Sequence, residues 1–428
     1  MKKNAPLVLA CLAAGLFAAA PVQAQIAFTT YVSIGDSLAA GYESGSLVKT
    51  HQVNSVPALL ARQAGVSGFQ LPLISEPGIP PEQTLVSLSP SVLIAPKSTT
   101  YGTPENLTLN RPYNNLAVPG ATLGDSLTKV TDGGGMHDII LRGLGPQIAQ
   151  AVAQRPSFVS LWIGNNDVLR AAISGRAIES VTLTPAATFR TQYQQLVDTL
   201  RSQTSAKIVA ANLPDVTSIP FVTTVPAVVV NPANSQPVLI NGQPVPLLGP
   251  NGPLPSGTYV LLTATSLMAQ GHGIPAALGG KGTPLPDEVI LDPAEVNSIK
   301  DRVAQNNQAI KDICAAAGIP VVDMNGLLKR VAGEEVVVGG VTLTSKFLTG
   351  GTFSYDGVHP SDLGYAVVAN EWIKVINANG GSLPEINLAP FMGLGLAGER
   401  KLDVPWVEFS PEAAAGLMVA FPPADRRD

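Results

Sequence analysis

The chain has 428 residues, of which 13% are charged, and a formal net charge of -5. No stretch is rich in Lys or Arg, which excludes nucleic acid and anionic membrane surfaces as expected partners. The length is enough to bury a large core, and 41 glycines with 37 prolines indicate long ordered loops around a scaffold rather than a helical bundle.

Lys2-Lys3 precede an apolar run over residues 7–20, and Val22-Gln23-Ala24 offers small residues for cleavage before Gln25. This pattern predicts a signal peptide over residues 1–24 and a secreted or periplasmic protein. The run is short for a membrane span, and no later stretch reaches that length, so no integral membrane segment is expected after signal removal. Cleavage leaves Cys314 as the sole cysteine and no intramolecular disulfide. Cys314 falls on the apolar stripe of a predicted helix and reads as a core residue.

Five apolar, β-rich runs follow in chain order: residues 29–34, 114–118, 157–163, 207–212 and 319–323. Helical patterns separate them, and that alternation predicts parallel strands with crossover helices, an α/β fold. Two long insertions interrupt the rhythm, at about residues 44–111 and 218–291. The first carries a helical patch over 55–64 and then a Pro/Ser-rich path. The second is apolar, rich in Pro and Gly, and expected to wall a substrate pocket. The clearest helix spans 293–317. Asp292 is its N-cap, Pro293 its first residue, Glu295 completes a capping box, and Gly318 ends it. A last helix starts at Ser361 and runs to about Asn377. The main domain is thus expected over 25–380, with a tail over 381–428 whose role the sequence does not reveal.

Gly-Asp-Ser-Leu occurs twice, at residues 35–38 and 124–127. The first copy ends an apolar run and precedes a stretch that can start a helix. A serine at such a strand-to-helix turn is lifted out of the sheet edge among free backbone N–H groups. The second copy lies inside a helical pattern in which Thr122 and Asp125 fit a capping box, so Ser126 reads as a first-turn residue on a polar face. Ser37 is therefore the candidate nucleophile.

Ser37 needs a base, and the base needs orientation. Of four histidines, only His359 has a suitable context, Tyr355-Asp356-Gly357-Val358-His359-Pro360 before a helix. Asp356 can share a tight turn with it, and a carboxylate on one ring nitrogen fixes the tautomer and supports the imidazolium. His51, His137 and His272 read as loop residues. His137-Asp138 lacks a second cluster at ligand spacing, so neither a metal nor a cofactor is expected. An oxyanion would find donors at the Ser37 N–H and at two other strand ends, which carry Gly120 and Asn166. Ligands gather at the carboxyl ends of parallel strands, where Ser37, Gly120 and Asn166 all sit. Asp36 and Asp167 read as acceptors that fix loops.

These blocks, in this order, resemble the SGNH, or GDSL, hydrolases: Gly35-Asp36-Ser37-Leu38, Gly120, Gly164-Asn165-Asn166-Asp167 and Asp356-Gly357-Val358-His359-Pro360. The resemblance covers about residues 26–379 and extends to Asn212-Leu213-Pro214-Asp215. It implies a flavodoxin-like three-layer α/β/α sandwich on a five-stranded parallel sheet. It also implies hydrolysis of carboxylic esters, with Ser37 as nucleophile, His359 as base and acid, and Asp356 as its orienter. Ser37 N–H, Gly120 and Asn166 would form the oxyanion hole. The expected partner is a small-molecule or lipid ester, in an esterase, lipase or lysophospholipase-like reaction. The alternatives are a carbohydrate or cell-wall O-acetylesterase and a non-catalytic binding protein on the same scaffold.

Overall fold

The computed structural model describes residues 25–87, 92–231, 234–392 and 407–421. The leader expected over residues 1–24 lies outside them. In chain order, β1 (Tyr31–Gly35) and the one-turn helix α1 (Ser37–Ala40) precede α2 (Val56–Gln63) and an antiparallel pair, β2 (Gln83–Ser87) and β3 (Val92–Pro96). Then come α3 (Leu123–Thr128), α4 (Gln147–Ala153), β4 (Phe158–Trp162), α5 (Asn166–Ser174), α6 (Ala186–Gln203) and β5 (Lys207–Ala211). The last part holds α7 (Pro293–Ala317), β6 (Val321–Val322), α8 (Met324–Ala332), α9 (Asp362–Ala378), β7 (Val407–Phe409) and α10 (Pro411–Ala420).

Strands β1, β4, β5 and β6 form a parallel sheet in the order β1-β4-β5-β6. Tyr31 lies opposite Phe158, Phe158 opposite Lys207, and Val321 opposite Ala210. Successive strand residues point to opposite faces, and both faces are apolar here. Val32, Ile34, Val159 and Leu161 pack into one core with Leu196 of α6 and Ile299 of α7. Tyr31, Phe158, Trp162 and Val209 enter a second core with Leu59 of α2, Leu327 of α8 and Trp372 of α9. The sheet is thus a central layer between two helical ones. Helix α7 begins and ends where its sequence signals stand. Asp292 accepts from the N–H groups of Ala294 and Glu295 (both 2.8 Å), the Glu295 carboxylate accepts from Asp292 N–H (3.1 Å), and Gly318 adopts φ +66°.

The expected fifth strand over 114–118 is not a strand among the described residues. The segment runs beside β1, with Ser33 N–H donating to Asn114 O (2.9 Å) and Leu116 N–H to Ser33 O (3.0 Å). Its asparagine side chains compete for backbone groups. Asn114 Nδ2 donates to Tyr31 O and Asn115 Nδ2 to Ala39 O (both 2.9 Å), while Asn115 Oδ1 takes Ala117 N–H (3.2 Å). Local side-chain bonds of this kind interrupt a ladder.

Both insertions differ in detail from expectation. The 44–111 stretch contains the β2–β3 pair as well as α2. Within 218–291 the backbone folds into two-residue antiparallel pairs such as Leu239–Ile240 with Gln243–Pro244. Residues 407–409 of the tail pack on the domain, where β7 joins β3 in parallel and makes a three-stranded sheet of β7-β3-β2.

Candidate active site

Ser37 opens α1 directly after β1. Asp36 caps that helix, accepting Leu38 N–H at 3.1 Å through Oδ1. Its Oδ2 takes the Asn165 side-chain amide (2.8 Å) and Asn165 N–H (3.3 Å), which ties the end of β1 to the loop after β4. Complete burial pushes the Asp36 carboxyl up to about 6, against these hydrogen bonds. Gly35 has no room for a side chain, since a Cβ there would lie 2.5 Å from Ala39 Cβ and 2.8 Å from Trp162 O.

Asp356 and His359 share one buried turn. The Asp356 carboxylate accepts from five donors: Val358 N–H (2.8 Å), His359 N–H (2.9 Å), Ser354 O–H (3.1 Å), Gly45 N–H (2.8 Å) and His359 Nδ1 (2.7 Å). Burial pushes its acidity down, but the facing imidazole and the backbone donors outweigh it and hold the carboxyl below the ordinary carboxylate range. The Nδ1 bond leaves Nε2 as the outward nitrogen, and Nε2 is buried without a hydrogen-bond partner among the described residues.

Gly120 lies in a turn closed by Ala121 N–H on Val118 O (3.1 Å). Its φ of +78° is the conformation that a Pro-Gly turn requires of its glycine. Asn166 starts α5, fully buried, with Nδ2 donating to Ala121 O at 2.8 Å and Oδ1 unpartnered. Asn166 and the Gly120 turn are therefore bonded to each other.

Ser37, His359, Asn165 and Thr352 line a cavity of about 80 Å³ whose other walls are apolar. Trp162, Met324, Leu327, Val331 and Val367 line it, so α8 and α9 supply much of its surface. The insertion over 218–291, expected as a wall, contributes Ile219 alone to this lining. The helix expected from Ser361 is α9, but its sequence and that of α8 give no sign that they line a cavity, because an apolar stripe looks the same whether it faces a core or a cavity.

A family model described as GDSL-like Lipase/Acylhydrolase matches residues 31–372. The chain belongs to that family. It is an ester-cleaving hydrolase. Among solved structures, the GDSL hydrolase is similar to an extracellular lipase from Streptomyces rimosus, at 16% identity and a TM-score of 0.34, over 82% of this chain and 98% of that one. It is also similar to a phospholipase A1 from Streptomyces albidoflavus NA297, at 17% identity and a TM-score of 0.33, over 82% and 98%. A catalytic mutant of an acetylxylan esterase from Geobacillus stearothermophilus gives 12% identity and a TM-score of 0.36, over 82% and 96%. Comparison with curated proteins gives no match.

The second tetrapeptide of this GDSL hydrolase lies in α3. Thr122 and Asp125 form the expected capping box. Ser126, however, is fully buried and not on a polar face, and its hydroxyl donates to Leu123 O (2.7 Å). Asp167 accepts Leu123 N–H at 2.8 Å, holding the start of α3, and burial raises its carboxyl to about 6.

Two histidines read as loop residues sit in short helices instead. His51 lies in the turn Lys49–Gln52. Its Nδ1 is 3.0 Å from Asp362 Oδ2 and 3.2 Å from Glu43 Oε2, and its Nε2 is 3.0 Å from Glu82 Oε1. Burial would lower its pKa, but Asp362 and Glu82 together bring it to about 11. His137 is in the helix Met136–Leu141, with Nδ1 3.0 Å from Asp132 Oδ2. Asp138 is engaged by Thr131 O–H and by the N–H groups of Asp132 and Gly134.

Proposed function

We propose that this hydrolase cleaves carboxylic esters of apolar acyl chains through an acyl-enzyme on Ser37. His359 Nε2 takes the Ser37 proton as Oγ attacks the carbonyl, and Asp356 supports the imidazolium through Nδ1. The oxyanion is held by Ser37 N–H, Gly120 N–H and the second amide hydrogen of Asn166. His359 then gives its proton to the leaving alcohol. Water, activated by the same nitrogen, releases the acid and restores Ser37. The observation that carries this reading is one largely apolar cavity lined by both Ser37 and His359, whose Nε2 has no hydrogen-bond partner among the described residues. The leader read over residues 1–24 supports export.

Nitrophenyl esters of increasing acyl length test the substrate class. Burying one methylene is worth about 0.8 kcal/mol, or roughly fourfold, so kcat/KM should climb from acetate through butyrate until the cavity is filled. Activity confined to acetate would replace this reading by an O-acetylesterase. Ser37→Ala should abolish turnover, and full activity in that variant would overturn the Ser37 acyl-enzyme.

A further inference from the structure

Residues 407–421 end on the groups assigned to catalysis. Strand β7 pairs with β3, with Val407 opposite Val92 and Phe409 opposite Ile94. Phe409 N–H donates to Thr265 Oγ1 (2.9 Å), Ser410 N–H to Ile94 O (3.0 Å) and Gln83 Nε2 to Ala413 O (2.9 Å). These bonds anchor the start of α10, while its last turn reaches the site. A Cβ on Gly120 would lie 1.9 Å from the Ala420 carbonyl oxygen, so that oxygen fills the space against Gly120. The Phe421 ring stacks on the His359 ring, with centroids 5.7 Å apart and planes at 20°. Ser37 is 2% exposed and His359 0%. An ester must bring its carbonyl oxygen to the oxyanion donors and its leaving group to His359. The end of α10 and Phe421 occupy that ground.

We propose that the last turn of α10, with Phe421, is a cover over the catalytic centre that moves aside to admit the ester and thereby sets access to Ser37. The inference rests on the assignment of Ser37 and His359 made above. Among the described residues of this segment, Ala420 and Phe421 are the ones that have to leave, and β7 with the first turn of α10 stays anchored. Val419, between the anchors and Phe421 in sequence, is 47% exposed. An aromatic ring on an imidazole could instead orient it, and the two roles have opposite signatures. Removing a cover speeds reaction at Ser37, whereas removing a positioning ring slows it.

The test is the rate at which a long-chain alkyl fluorophosphonate labels Ser37 in the full-length protein and in Phe421→Ala and Val419→Ser. Phe421→Ala should label roughly threefold to tenfold faster, the shift expected from losing one aromatic pair, and Val419→Ser should label at the parent rate. Equal or slower labelling of Phe421→Ala overturns the cover. Should that variant fail to fold, Phe421→Leu keeps apolar bulk without a flat ring, and the same comparison decides: faster labelling supports the cover, equal or slower labelling overturns it. Absence of label at Ser37 in both the parent and Phe421→Ala overturns the catalytic assignment instead, whereas label in Phe421→Ala alone supports the cover.

Discussion

Asp356 is the most heavily engaged carboxylate of the site, and two consequences follow for that residue. An amide at this position cannot support an imidazolium and donates a hydrogen where Asp356 accepts one. On the scale known for the matching change in a serine-protease triad, Asp356→Asn should lower kcat by about 10⁴ with little change in KM. The second consequence concerns pH. The folded carboxyl lies below its ordinary range, so its contribution to stability is present above the unfolded value near 4 and is lost as pH falls through the folded one. Urea unfolding should therefore show a stability gap between parent and Asp356→Asn at pH 7 that narrows towards pH 3, and a gap of constant size would contradict the assignment. Ser126 offers the contrast. Its hydroxyl is buried and spent on Leu123 O, so Ser126→Ala should cost about 1 kcal/mol in stability and leave kcat/KM unchanged in the same ester assay.

Between elements, the largest electrostatic knot among the described residues is the one around His51. It joins the turn Lys49–Gln52 to Glu82 at the start of β2, to Asp362 at the start of α9 and to Glu43 after α1. Because α9 follows His359 within three residues, this knot also fixes how the Asp356–His359 turn enters its helix. A histidine raised from 6.5 to about 11 stabilises the fold fully below pH 6.5, and that contribution fades as pH rises towards 11. His51→Gln should cost about 2–3 kcal/mol near pH 6, somewhat less than breaking a fully buried pair. Chemical denaturation at pH 6 and pH 10 checks this, since the loss must be smaller at pH 10. A loss that grew with pH would mean that His51 is neutral in the folded protein.

For the molecule as a whole, what could be read from sequence divides by distance along the chain. The Asp356–His359 pair was legible because both residues share one turn, and α7 because its caps lie within three residues of its ends. Four of the five β-rich runs became strands of the parallel sheet. The run at 114–118 did not, because Asn114 and Asn115 divert backbone partners in a way that apolar content does not register. The role of residues 407–421 was illegible for a different reason. Strand β7 is three residues long, and its register is decided by β3, more than three hundred residues earlier. Likewise no local pattern announces that Ala420 will rest on Gly120. Non-local pairing specifies this part of the site, and single-sequence periodicity carries no trace of it.

The bond from Gly45 N–H to the Asp356 carboxylate joins residues 311 positions apart. At ~5–20 residues per second of synthesis, these two residues are made roughly 15–60 s apart. Throughout that interval a nascent chain holds Ser37 without His359, the base we propose for it, and without Ala420 and Phe421, the cover we propose over it. We therefore expect hydrolytic competence to arrive as a late event in the making of each molecule, after most of the scaffold has been produced.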